Sequence, residues 1–183
     1  MTKSSALRAL LLSAAALLLA GCNPFFPQPV GNTKVPEPRL GVDLQKYLGK
    51  WHELARYEAS FQVGCEAVTA EYSLRDDGMV KVLNSCHQDT PAGTLRSAEG
   101  KAKIVEGANG AKLKVSFFGP FYGDYWVLDR AADYSWSIVG EPSGKYLWLL
   151  SRNAPVSEEQ YQAHVKRIAE LGYDVKLLRR TKW

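Results

Sequence analysis

Residues 97–117, SAEGKAKIVEGANGAKLKVSF, hold two extended runs around a turn. In Lys112-Leu113-Lys114-Val115-Ser116-Phe117 polar and apolar residues alternate, the period of a strand with one face in a core. Ser97 to Val105 precedes it, and Gly107-Ala108-Asn109-Gly110 supplies the residues a hairpin needs. The same grammar repeats on both sides. Toward the N-terminus, Ala67 to Leu74 and Met79 to Asn84 flank Asp76-Asp77-Gly78, and Trp51 to Tyr57 comes before them. Toward the C-terminus lie Tyr125 to Leu128, Ser135 to Val139 and Tyr146 to Leu150, the last pair turned by Glu141-Pro142-Ser143-Gly144. Eight short strands in succession predict an all-β fold, an eight-stranded up-and-down antiparallel barrel that removes its edges by closing. A barrel of that size either fills with side chains or holds one small ligand.

After the eighth strand the period changes. Ser157-Glu158-Glu159-Gln160 fits a capping box, and Tyr161, Val165, Ile168 and Leu171 follow at helical spacing. Gly172 can end this helix in a left-handed cap, and Asp174 to Leu178 reads as a last extended piece. The apolar stripe requires the helix to pack on the barrel.

The start of the chain reads differently. Lys3 and Arg8 precede an apolar run, Ala9 to Leu19, too short as a helix to cross a hydrocarbon core of about 30 Å. A positive start, a short apolar run and small residues read as a secretory signal over residues 1–21. Leu19-Ala20-Gly21-Cys22 resembles the lipobox of bacterial lipoproteins, which implies acylation of Cys22 and anchoring to a membrane. An ordinary cleaved signal with a chance Cys is the other reading. Asn23 is not a retention signal in that family, which favours the outer membrane with the barrel on its periplasmic side. Residues 22–38 contain Pro24, Pro27, Pro29, Pro36 and Pro38 and read as an extended tether, leaving 39–183 as the folded domain.

Composition narrows the function. Hydrophobic residues are 46% and charged ones 23%, ordinary for a globular chain. The net charge is +4, about +2 without Lys3 and Arg8, too weak a field for a nucleic-acid binder. No nucleophile elbow, zinc-protease motif or phosphate-binding glycine loop occurs, the three His are scattered, and no metal or cofactor is implied.

Gly49-Lys50-Trp51 at the first strand, Gly123-Asp124-Tyr125, and Arg152 just after the eighth strand resemble, in that order, the three signatures of the lipocalins. The stretches Tyr47 to Tyr57, Val115 to Tyr125 and Tyr146 to Arg152 are similar to bacterial outer-membrane lipocalins and their apolipoprotein D-like relatives. The resemblance implies that Trp51 lies across the closed end with Arg152 stacked on it, and that Gly49 allows close approach beneath the ring. A guanidinium over an indole contributes about 0.5–2 kcal/mol. It also implies a carrier of small hydrophobic ligands, a fatty acid or lysophospholipid, rather than an enzyme, acting as monomer or homodimer. A filled envelope scaffold that docks another protein, and an isomerase or hydrolase using an interior Glu53, remain as alternatives.

Cys65 and Cys86 are left once Cys22 is assigned to the anchor, and two Cys in an envelope compartment favour a disulfide over a free thiol. A turn centred on Asp77 puts the two side chains on opposite faces, so a bulge or a loop residue must change the phase. Alternation from Trp51 predicts Ala55, Tyr57, Ala70, Tyr72, Val82, Val115, Phe117 and Trp148 as the cavity wall, with Tyr125 and Trp136 added. Residues near Trp51 read as plain core. Those near the mouth read as ligand contacts.

Overall fold

The computed structural model describes residues 28–183. A short helix α1 (Leu44–Tyr47), which the sequence pattern does not reveal, precedes eight strands. These are β1 (Gly49–Tyr57), β2 (Cys65–Leu74), β3 (Val80–Gln88), β4 (Leu95–Ile104), β5 (Lys112–Ser116), β6 (Gly123–Arg130), β7 (Trp136–Gly140) and β8 (Leu147–Ser151). Each pairs antiparallel with its sequence neighbour, and β1 pairs with both β2 and β8, so the barrel is closed. Helix α2 (Glu158–Glu170) follows, opened by the capping box between Ser157 and Gln160. The expected last extended piece is instead a 3-10 turn, Val175–Leu177, and a three-residue strand β9 (Leu178–Arg180) beside β1.

Two clusters of buried side chains divide the barrel wall. Trp51, Tyr72, Val80, Val82, Ala102, Leu113, Val127, Val139 and Leu150 point inward. Leu54, Ala55, Tyr57, Leu128, Ile138, Leu147 and Leu149 point outward, where Tyr161, Ile168 and Tyr173 cover them. The second cluster is the reason for the apolar stripe on α2.

Three register shifts interrupt the ladders: one between Val127 and Asp129 in β6, and two, in β2 and β1, that set the phase of the predicted wall. In the β2–β3 ladder Tyr72 faces Val82 and Thr69 faces Ser85, yet Glu66 faces His87 and Cys65 faces Gln88. The register therefore slips by one between Glu66 and Thr69, with Ala67 in the left-handed region at φ 45°. That slip brings Cys65 onto the face of Cys86, and the two form a disulfide with Cα atoms 5.3 Å apart. The second bulge lies in β1, where Glu53 faces Leu150 but Ala55 faces Leu149.

The proline-rich stretch departs from the expected tether. Residues 31–38 lie along the barrel as a strap, not free of it. The Gly31 amide donates to the Gly144 carbonyl, the buried Asn32 donates to Leu171 O, and Val35 packs into the outward cluster. Gly144, at φ +67°, is obligatory there, since a Cβ would sit 1.8 Å from Asn32 O. Proline's missing N–H suits such a strap, because its extended backbone has few donors left to satisfy. The expected signal over 1–21, the acylated Cys22 and residues 23–27 lie outside the described residues.

Candidate functional site

The closed end is built first, from the turn into β1. Arg152 stacks on the Trp51 ring at 3.7 Å, and its guanidinium donates to the carbonyls of Lys46, Leu48 and Lys50. Trp51 Nε1 donates to Tyr47 O at 2.8 Å. Gly49 is required by its φ of +89°, not by crowding: a Cβ would meet Arg152 Nη1 at an ordinary 3.6 Å. Asp124 is elsewhere. It lies at the opposite end of the barrel and pairs with Lys114 at 2.7 Å, because β6 starts there and runs toward the closed end. The closed end takes Tyr134 in its place, a residue the sequence reading missed, which accepts the Asp43 amide and stacks under Arg130.

Above the floor the lower barrel is full. The hydroxyls of Tyr47, Tyr72 and Tyr125 share hydrogen bonds of 2.9–3.0 Å, and Tyr47 also meets the Ser137 hydroxyl. Burial pushes all three tyrosines up, Tyr47 to about 12, so they are neutral hydrogen-bonding groups. The gap they leave, shared with Leu113, Val80 and Ala102, is about 10 Å³, room for about one water.

The upper barrel has a polar side and an apolar side. Beyond the β1 bulge the phase is reversed, so Arg56 faces inward opposite Trp148, while Ala55 and Tyr57 face the helix side. Trp136 also faces outward, against His164 of α2, because Ser137 takes the inward position beside Tyr47. Ala55, Tyr57 and Trp136 therefore do not line the lumen, contrary to expectation. The pair Leu54-Ala55 does not by itself mark the bulge, since Ile138-Val139 and Leu149-Leu150 are adjacent apolar pairs in the unbroken β7–β8 ladder with one member on each covered face.

Glu53 and Arg56 are buried, 2% and 0% exposed, and paired at 2.7 Å. All five Arg56 donors are used, on Glu53, Glu58, Cys65 O and Gln62 O. Burial opposes the Arg56 charge, but Glu53 and Glu58 outweigh it and hold the group above its ordinary pKa. Glu53 also accepts from Gln62 and Thr181, and Trp148 Nε1 donates to Gln62 at 3.1 Å. This network fastens the mouth loop and the C-terminal segment to the wall. Every Arg56 donor is committed within it, and Glu53 is held by Arg56, Gln62 and Thr181.

Facing it are Ala70 of β2, Phe117 of the β5–β6 loop and Trp148 of β8, while Tyr72, Val82, Val115 and Tyr125 lie below them around the small gap above the floor. Ala70, Val115, Phe117, Tyr125 and Trp148 stay half-buried although they point inward, so the open end admits solvent to them. Asn84, which faces Ala70 across the ladder, places an amide oxygen in this wall that is buried and without a partner. Alternation from Val82 puts Asn84 on the same inward face, but the sequence reading took only apolar and aromatic residues for the wall and passed over it. Among the described residues no group of three or more His, Cys, Asp or Glu is placed to hold a metal.

Comparison with known proteins agrees with this architecture. Residues 42–183 match the family model described as a lipocalin-like domain. The outer membrane lipoprotein Blc of Vibrio cholerae is 41% identical over 174 residues, covering 94% of this chain and 96% of the relative. Rat apolipoprotein D is 36% identical, covering 75% of this chain and 78% of that protein. Among solved structures, insecticyanin from the tobacco hornworm Manduca sexta superposes with a TM-score of 0.61 at 21% identity, covering 88% of each chain, which is a likeness of fold. By the matched family model, the extent of identity and the closed barrel with its flanking helix, this chain belongs to the lipocalin family.

Proposed function

We propose that the protein is a carrier that holds one amphiphile, a fatty acid or lysophospholipid, in the upper half of its barrel. The observation that carries this reading is the inward apolar wall of Ala70, Val115, Phe117 and Trp148, which stays partly open to solvent above a filled floor. Apolar pockets take acyl chains at about 0.8 kcal/mol per buried CH₂, less the cost of ordering the chain. The unpartnered Asn84 oxygen favours a ligand that donates a hydrogen bond, as the glycerol hydroxyl of a lysophospholipid does. Glu53, the interior carboxylate that an enzymatic reading needs, is committed to Arg56, Gln62 and Thr181, which supports a binder.

The relatives named outer membrane lipoprotein, together with the lipobox-like Leu19-Ala20-Gly21-Cys22, support a protein held on the outer membrane by acylated Cys22. The barrel then stands on the periplasmic side. A second reading, a filled scaffold, is favoured by the small space at the base, about 10 Å³. Mass spectrometry of lipids extracted from the purified protein separates the two. A carrier yields a stoichiometric amphiphile. A scaffold yields none, and then also fails to take up added lysophospholipid.

A further inference from the structure

The N-terminal strap and the apolar side chains of the surface meet at the same end of the barrel. Loops 58–64, 89–94, 117–122 and 141–146 form the open end, opposite α1 and the Trp51–Arg152 floor. On these loops and their borders stand Phe118 at 83% exposure, Phe121 at 78%, Phe61 at 65%, and the exposed Val63 and Leu95. The large apolar residues exposed at the closed end, Leu40, Leu74 and Ile104, are each less than half exposed. Aromatic side chains also frame this rim, with Phe61 against Tyr146 and Tyr146 stacked on Trp148. Patches of this kind mark contact surfaces.

The chain enters at that rim. Gln28 donates to the Glu58 carbonyl just past the end of β1, and Gly31 bonds to Gly144 in the 141–146 loop. From there the strap runs toward the closed end, where Val42 bonds to Asn109. Five residues separate Gln28 from Cys22, six Cα-to-Cα steps with a reach of about 20 Å at full extension. A nine-residue strand tilted in a barrel keeps the two ends about 23 Å apart. An anchor at Cys22 thus holds the open end, not the floor, against its bilayer.

We propose that the open rim is a docking surface for the phospholipid bilayer, with Phe118, Phe121, Phe61 and Val63 seated at the boundary of headgroups and acyl chains. The orientation rests on the Cys22 anchor proposed above. Its consequence is that an amphiphile passes between leaflet and lumen without crossing bulk water. Aromatic and apolar side chains partition to that depth, and the strap sets the distance.

The test uses the full, acylated chain in vesicles of phosphatidylethanolamine with a minority of phosphatidylglycerol. A bimane label is attached in turn to Phe118→Cys and to Leu74→Cys, both exposed positions whose replacement leaves the core untouched. Doxyl-labelled lipids then quench the fluorescence. The proposal expects quenching at 118 to exceed that at 74 by about fivefold or more. Equal quenching, or stronger quenching at 74, overturns it. A chain that washes off the vesicles overturns it too, since the anchor that orients the rim is then missing. Lysophospholipid titration of the same preparation reads the carrier function separately. A carrier with an undocked rim binds lipid with equal quenching at both sites, and a docked rim without a carrier gives the reverse.

Discussion

Glu53 and Arg56 sit where a ligand-binding barrel of this size has little room for charge, and their cost is offset only by complete pairing. Two ions withdrawn from water are tolerable when every donor and lone pair has a partner, and all five Arg56 donors have one. Removing one member exposes the debt. Glu53→Ala leaves Arg56 buried beside a void, and urea denaturation should show a loss of about 3–5 kcal/mol. A loss under 1 kcal/mol, as from an exposed pair, would mean that Arg56 reaches water. The tyrosine cluster gives a pH signature. An unfolded tyrosine ionises near pH 10, whereas burial pushes Tyr47 up to about 12 and raises Tyr72 and Tyr125 as well. The folded state holds these protons more tightly, so its advantage is whole below about pH 10 and declines as pH rises toward the folded values. Denaturation midpoints at about pH 9 and 11, read beside tyrosinate absorbance, should show stability falling while the three phenols stay protonated until unfolding. Early ionisation of all the tyrosines would contradict this.

At the scale of elements, the alternation in Lys112 to Phe117 and the period of α2 were readable because each has one buried face. The hairpin turns were readable because their residues permit the backbone they need. A bulge is different. It adds one residue without changing composition, so its only trace is a break in alternation. The β2 bulge was deducible because Cys65 and Cys86 had to share a face. The β1 bulge had no such constraint, and the wall positions extrapolated past it, Ala55 and Tyr57, came out on the wrong side. Residues on or beside strands without a bulge, such as Val82 on β3, Val115 on β5 and Phe117 just past it, came out inward. The disulfide spans a separation of 21 residues between strands β2 and β3. Cys86→Ser should lower stability by roughly 3 kcal/mol through the freed unfolded chain. Thermal melts with and without reductant check this: the native chain shifts on reduction, the variant does not.

For the molecule as a whole, closure of the barrel was legible, since strand count and hairpin spacing leave few ways to hide the edges. The strap was not. Proline density marks an extended segment but says nothing of what it lies on, and only Gly31, Asn32 and Gly144 in space reveal the contact. Nor did the sequence show how far up the aromatic filling reaches, because Tyr47 comes from α1, an element too short to leave a pattern. In the carrier proposed above, these features confine the ligand to the upper lumen, next to the rim where the described residues begin. Intrinsic tryptophan fluorescence, followed during titration with lysophospholipid, tests that confinement most directly, with Trp148 as the reporter and Ala70→Trp as the blocked variant. One-to-one saturation in the native chain, abolished in Ala70→Trp, is the predicted result. A flat titration of the native chain, or equal binding by the blocked variant, would contradict the account.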